Sequence, residues 1–162
     1  MTIVANDQTD SRHRPPSSEG VDEVRETLAI QKLVARYCYY VDKFMAEPWV
    51  QLWTEDAEFD ETETGTGLHR GRKELRAFFV WIEDTMKEQV HFGGPQIIDI
   101  LSGTEAKGII YSIVEGFTKT GASVRATIYY EDEYRKVDGD WQFARRKIFN
   151  LLPPVMGGIA HD

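Results

Sequence analysis

Apolar residues return every three or four positions from Val21 onward. Val24, Leu28, Ile30, Leu33, Val34, Tyr37, Val41 and Phe44 fall on one side of a 3.6-residue repeat, which predicts an amphipathic helix to about Met45. Glu47-Pro48 opens a short second helix, Pro48–Trp53, with proline early, where its missing N–H has no intrahelical partner to lose. Ala57–Thr62 reads as a short strand around Phe59, and Thr64–Gly71 (TGTGLHRG) as a loop. Arg72–Glu88 reads as a second long helix with Leu75, Phe78, Phe79, Ile82 and Met86 inward. The period then changes to two. Gln96–Leu101, Glu105–Phe117, Ser123–Lys136 and Trp141–Leu151 read as strands, separated by Ser102-Gly103, Thr120-Gly121 and Asp138-Gly139. Gaps this short allow only antiparallel neighbours, because a parallel crossover needs about a dozen residues or more. Helices first and a meander after them predict an α+β domain. Its expected form is a cone-shaped α+β barrel, a curved antiparallel sheet wrapped around the N-terminal helices with a cavity at the open end.

Outside this pattern, Asn6–Gly20 carries no apolar residue except prolines and cannot offset the entropy of ordering it. Residues 1–20 are therefore expected to be a tail, 21–151 the domain, and 152–162 a C-terminal tail. The 162 residues fit one domain. Asp and Glu total 27 against 19 Lys and Arg, a net charge of −8, which argues against nucleic acid and anionic membranes as partners. The single cysteine, Cys38, excludes an internal disulfide and a multi-cysteine metal site. No apolar run is long enough to span a bilayer or to serve as a secretory signal, so the expected location is cytoplasmic.

Few residues carry candidate chemistry. Asp42 falls in a helical row with Gln31, Ala35, Cys38 and Met45. A carboxylate there either has a partner that offsets its burial or turns to solvent at the helix end. His91, in Gln89–Gly94 between helix and sheet, is either structural or a group that moves protons near neutral pH. His13 and His161 lie near the termini, and His69, in the glycine-rich loop, is expected to be solvated. Tyr37 belongs to the apolar helix face, with its hydroxyl reaching the rim. Glu115 shares a strand row with Ile109, Tyr111, Ile113 and Phe117, which marks either a pocket or an edge or interface position. Arg145 and Arg146 point to opposite faces, so at most one is inward, where it would meet an anion or oxyanion. With aromatic residues at 12%, Phe59, Trp53 and Tyr111 are candidates, together with Glu115, to line a substrate pocket. Metalloprotease (HExxH), nucleophile-elbow (GxSxG) and dinucleotide-binding patterns are absent, and neither metal nor cofactor is expected. Tyr129, Tyr130, Tyr134 and Phe149 supply apolar area for a second copy, so a homodimer or homotrimer is expected.

The segment Ile30-Gln-Lys-Leu-Val-Ala-Arg-Tyr37, Asp42, Trp49 and Leu52-Trp53-Thr54-Glu55-Asp56-Ala57 resembles the opening of SnoaL-like proteins in the nuclear transport factor 2-like superfamily. Gly71-Arg72, His91 and the ending from Tyr130 through Asp132, Tyr134, Gly139 and Trp141 to Arg146 continue the resemblance over about Val21 to Leu151. The pattern is similar to the branch containing scytalone dehydratase, hexachlorocyclohexane dehydrochlorinase and bile acid 7α-dehydratase. That branch sets a helix-borne Asp against a cavity His, and Asp42 and His91 fall on those positions. Tyr37 matches the tyrosine of the bile acid enzyme's helix, where the dehydrochlorinase has a lysine; Arg146 is similar in place to the last-strand arginine; and Glu115 lies near where the bile acid enzyme has a second acid. The second cavity histidine of scytalone dehydratase has no counterpart here. The resemblance implies a cofactor-independent lyase acting on a small hydrophobic cyclic or polycyclic substrate. His91 would remove the proton, Asp42 would orient it, and Tyr37 or Arg146 would bind the leaving group or oxyanion. It also implies that the C-terminal tail can cover the cavity mouth. Two alternatives stay open: an isomerase or polyketide cyclase of the same fold, and a non-catalytic ligand-binding or assembly module, which would have no need of the Asp42–His91 pair.

Overall fold

A computed structural model describes residues 18–158 of the chain. Residues 1–17 of the expected tail, and 159–162, lie outside the described residues. The leading helix α1 (Ser18–Asp42) buries Ile30, Leu33, Val34, Tyr37 and Val41, the three-and-four repeat read from the sequence. Val24 and Leu28, expected on that face, are instead 60% and 51% exposed, so the packed stripe begins only at Ile30. After α1 the chain reverses through Phe44, whose φ is +53°. The short helix α2 (Ala46–Val50) buries Trp49 and Val50.

Trp53, expected to close that helix, opens strand β1 (Trp53–Glu61) instead. The cause is tertiary: Phe143 N–H donates to Leu52 O at 2.9 Å and pairs Trp53 into the sheet. A 3-10 turn at Thr62–Thr64 leads to β2 (Gly67–Arg70), which pairs antiparallel with β1 in the stretch expected to be a loop. Gly65 and Gly67, with φ of +92° and +99°, make the reversal. Helix α3 (Gly71–Thr85) buries Leu75, Phe78, Phe79 and Ile82 and ends before Met86.

Strand β3 (Met86–Ile100) therefore starts well before the expected Gln96, and His91 is a strand residue rather than a loop residue. Its first half has no apolar alternation; pairing with β4 (Glu105–Thr118) imposes the strand, with a register shift between Gly93 and Gln96 around Pro95. Then follow β5 (Ala122–Val137), β6 (Asp140–Asn150) and β7 (Val155–Gly158). Asp138 and Gly139, at φ +51° and +89°, form the tight β5–β6 hairpin turn read from the sequence.

The strand order is β2-β1-β6-β5-β4-β3. The meander β3 to β6 is antiparallel as expected, whereas β1 lies parallel to β6, which the long connection through α3 permits. β7 pairs with Ala122–Arg125 of β5, so residues 155–158 of the expected C-terminal tail extend the sheet. The sheet is curved and unclosed, with β2 and β3 at its ends, and α1 packs within its curve chiefly against β3. This is the α+β architecture expected from the sequence. On β4 the inner row is Ala106, Gly108, Ile110 and Ser112, all buried. Gly108 is small for a reason: a Cβ there would stand 3.0 Å from the Tyr134 ring, which lies across the strand.

Candidate functional site

The last turn of α1 is fastened to β3 by a carboxylate. Asp42 ends the helix, and its Oδ2 accepts the backbone N–H of His91 at 3.0 Å. Its Oδ1 lies 2.7 Å from His91 Nδ1. Two residues earlier on the same strand face, Gln89 Nε2 donates to the Val41 carbonyl at 2.8 Å, which also accepts the Phe44 N–H at 3.3 Å. A carboxylate only accepts, so Nδ1 carries the proton and Nε2 is left with the basic lone pair. Both side chains are largely enclosed, at 10% and 16% exposure for His91 and Asp42. The Tyr37 ring stands edge-on to the imidazole, 6.2 Å between centroids.

Behind Tyr37 lies a buried cation. Arg146 and Asp132 are directly opposite on β6 and β5. Their pairing is bidentate, with Arg146 Nε and Nη2 each donating to an Asp132 oxygen at 2.7 Å, and both side chains are within 1% of full burial. Tyr134 Oη donates to Asp132 Oδ2 at 2.7 Å. The guanidinium is boxed by the rings of Tyr37, Tyr130 and Phe143, with centroids 4.2, 4.1 and 4.3 Å away. Arg146 Nη1 is buried and has no protein partner. Burial opposes the Arg146 charge, but the Asp132 charge and hydrogen bonds outweigh it and hold the cation. Burial likewise drives the Tyr37 and Tyr130 hydroxyls well above their ordinary range, so both remain proton donors. Thus, of the two arginines, Arg146 is the inward one. Arg145 points outward, 4.0 Å from Glu58 and Glu133.

Glu61 is a second inner acid that sequence reasoning did not select. Strand β1 alternates Ala57, Phe59 and Glu61 toward the interior, and Glu61 Oε2 accepts a hydrogen bond from Thr66 Oγ1 at 2.9 Å. Burial pushes its carboxyl up to about 7, against the pull of Thr66 and Arg146. The neutral form is therefore favoured by folding. Below about pH 4.5 the group is protonated in both states and contributes nothing; between about 4.5 and 7 the unfolded chain alone ionises, so stability falls as pH rises. The loss is up to about 3 kcal/mol. Glu61→Gln is expected to remove this slope, which denaturant melts at pH 5 and pH 8 would measure.

Other candidates fall elsewhere. Trp53 and Phe59 are at most 1% exposed and sit in an aromatic core with Trp49, Phe79 and Phe143, where Trp53 backs Tyr37 at 6.1 Å. They support the site from below instead of lining an open pocket. Glu115 and Tyr111 are on the outer face: Glu115 pairs with Arg125 at 2.7 Å, and Tyr111 is 46% exposed beside Tyr129. The apolar row that made Glu115 conspicuous is the outer row of β4, because the small residues were the ones turned inward. Tyr130 and Tyr134, expected to serve a partner copy, are 3% and 2% exposed and face inward. His69 is on β2 rather than in a solvated loop; its ring lies tilted against Phe78, 4.4 Å between centroids, and burial lowers its affinity for a proton. Asp132 was also missed, although Tyr130, Asp132 and Tyr134 recur at every second position, a signal that one face carries all three.

Among the described residues no group of three or more His, Cys, Asp or Glu side chains is arranged to hold a metal, and no helix is long and apolar enough to cross a membrane. The sequence profile of the SnoaL-like domain matches residues 22–147. The gamma-hexachlorocyclohexane dehydrochlorinase of Sphingobium indicum is 27% identical over 146 residues, covering 85% of this chain and 88% of that protein. A solved structure from Novosphingobium aromaticivorans, provisionally described as an aromatic ring hydroxylase, aligns with a TM-score of 0.79 at 27% identity, covering 82% of this chain and 94% of the other. The crystal structure of a type 2 hexachlorocyclohexane dehydrochlorinase aligns at 0.77 with 23% identity, covering 88% and 95%, a likeness of fold. With most of its length matched by that profile, the chain belongs to the SnoaL-like domain family of the nuclear transport factor 2-like superfamily.

Proposed function

We propose that the protein is a cofactor-independent lyase that eliminates water or a halide from a small hydrophobic cyclic substrate. The observation that carries this reading is the double grip of Asp42 on His91, through the backbone N–H and through Nδ1. A ligand-binding module has no use for an imidazole held in one tautomer with Nε2 free. His91 Nε2 takes the proton from carbon, and the C–H electron pair becomes the new double bond. The leaving group departs with its own bonding pair. Asp42 stabilises the imidazolium that forms. Arg146 Nη1 and the Tyr37 hydroxyl are the donors for a developing oxyanion or the leaving group, each worth about 2.7–4 kcal/mol in the transition state when well placed. The homology to a dehydrochlorinase supports the same class of chemistry.

Product mass tests the reading. Incubation with cyclic hydroxy and halo compounds is expected to yield products lighter by water or hydrogen halide. A product of unchanged mass would favour the isomerase alternative instead.

The protein is also proposed to assemble as a homodimer or homotrimer through the outer sheet face. Phe92, Ile97, Tyr111 and Ile113 are 41–63% exposed there, and Tyr129 stacks on Phe149 at 4.8 Å. Single exposed hydrophobics are ordinary, but a contiguous set on one sheet face is not. Light scattering is expected to give two or three chains per particle, and Ile113→Glu to shift it to one; a monomeric wild type at micromolar concentration would refute the assembly.

A further inference from the structure

Glu61 is the last inward side chain of β1. It follows Ala57 and Phe59 on the inner row of β1, and Phe59 is the register partner of Arg146. The chain is wound tightly around it. The Glu61 carbonyl accepts the N–H of Gly65 at 3.2 Å and of Thr66 at 3.3 Å, and the Thr64 hydroxyl at 2.9 Å. Thr66 Oγ1 then fixes Oε2 at 2.9 Å. The groups facing it from other elements are Arg146 on β6, Tyr37 on α1 and Tyr130 on β5, all within electrostatic reach. The flanking acids are engaged elsewhere: Asp60 binds Thr62 and Lys147, and Glu63 binds Asn150. This carboxyl group is held still on the inner row of β1, with one cation and two phenols within electrostatic reach, and it forms no ion pair among the described residues, since Asp132 takes Nε and Nη2 of Arg146.

We infer that Glu61 is the general acid of the elimination, donating its proton to a departing hydroxyl, so that the substrate class is a cyclic alcohol dehydrated to an alkene rather than a halide. The inference rests on the lyase reading above. In the step, His91 Nε2 accepts the carbon-bound proton and the C–H pair forms the C=C bond. The C–O bond breaks with its pair to oxygen, and Glu61 supplies the proton that turns hydroxide into water. His91 ends as imidazolium and Glu61 as carboxylate; transfer of one proton from the first to the second through solvent restores both. A halide needs no proton to leave, so this acid would be idle in a dehydrohalogenase. Burial that holds the carboxyl up to about 7 keeps a useful fraction protonated at neutral pH.

Two measurements test this. Infrared difference spectra of the ligand-free protein, titrated from pH 5 to pH 9, are expected to show a protonated carboxyl signal lost around neutrality and absent in Glu61→Gln. Rates with matched cyclic alcohol and halide substrates are expected to fall about 10²–10⁴-fold for the alcohol in Glu61→Gln and no more than about tenfold for the halide. The decline of the alcohol rate on the alkaline side should also vanish. Absence of the infrared signal, or equal losses on both substrates, overturns the assignment. Full loss of elimination in His91→Ala beside intact dehydration in Glu61→Gln overturns this inference alone. Intact elimination in His91→Ala overturns the lyase reading and this inference with it.

Discussion

Substituting His91 with alanine is expected to lower the elimination rate by about two to four orders of magnitude, the range of a positioned general base, while the protein stays folded. The imidazole lies at the inner surface and is 10% exposed, so its loss opens space beside the site rather than in the packed core. Asp42→Asn is the more informative change. The asparagine amide can still accept the His91 backbone N–H with its oxygen, but the group then facing Nδ1 is an N–H donor. The ring answers by moving its proton to Nε2, where the lone pair was needed. Turnover should therefore fall nearly as far as in His91→Ala, with KM little changed, since binding contacts are kept. Steady-state kinetics on the substrate found by product mass, with circular dichroism as the folding control, decides it. Wild-type turnover in either variant would remove the basis for His–Asp catalysis.

The largest effect on stability is expected at Asp132. Replacing it with alanine leaves the Arg146 guanidinium, fully buried, without its counter-charge and two of its hydrogen bonds. Breaking one partner of a buried pair costs about 3–5 kcal/mol, a large part of the ~5–15 kcal/mol that holds an ordinary domain together. Three aromatic faces around the cation soften this loss but do not replace a charge. At about 2–4 °C per kcal/mol for a chain of this size, the melting temperature should drop by roughly 10 °C. Asp132→Leu combined with Arg146→Met should be less damaging than Asp132→Ala alone, because nothing charged is then stranded. A loss below about 1 kcal/mol for Asp132→Ala would mean that the guanidinium has found water, and that the interior is wetter than its burial implies.

The pair also sets the geometry that the role proposed for Arg146 requires. Asp132 takes Nε and Nη2, which fixes the plane of the guanidinium and leaves Nη1 as its one unpartnered donor nitrogen. The fork is thereby oriented before any ligand arrives, the condition under which a hydrogen-bond donor contributes to the transition state.

The two long helices, the antiparallel meander and the residue types of the Asp42–His91 pair were legible along the chain. The three-and-four repeat of α1 and the two-residue repeat of the meander each follow from burial of one face, and a turn such as Asp138-Gly139 reports its own backbone geometry. Asp42 and His91 were legible as types, and the resemblance placed them together across the intervening residues. The errors have two causes. Alternation says that two rows exist on a strand but not which of them faces the helix. On β4 the bulky row is outside and the small row inside, so Glu115 and Tyr111 were assigned to the wrong side. The N-terminal half of β3 and all of β2 are strands only because a neighbouring strand supplies their hydrogen bonds, a non-local condition that no window of sequence contains.

What the sequence by itself determined is therefore the local periodicity, the α+β class and the residue types able to move a proton. Only the tertiary structure decided that Arg146 rather than Arg145 turns inward, that Asp132 neutralises it, and that Glu61 lies on the inner row of β1 within electrostatic reach of Arg146. The physical reason is that burial and charge pairing act through space: the curvature of the sheet selects the inner row, and each ionisable group takes its properties from the elements that close over it.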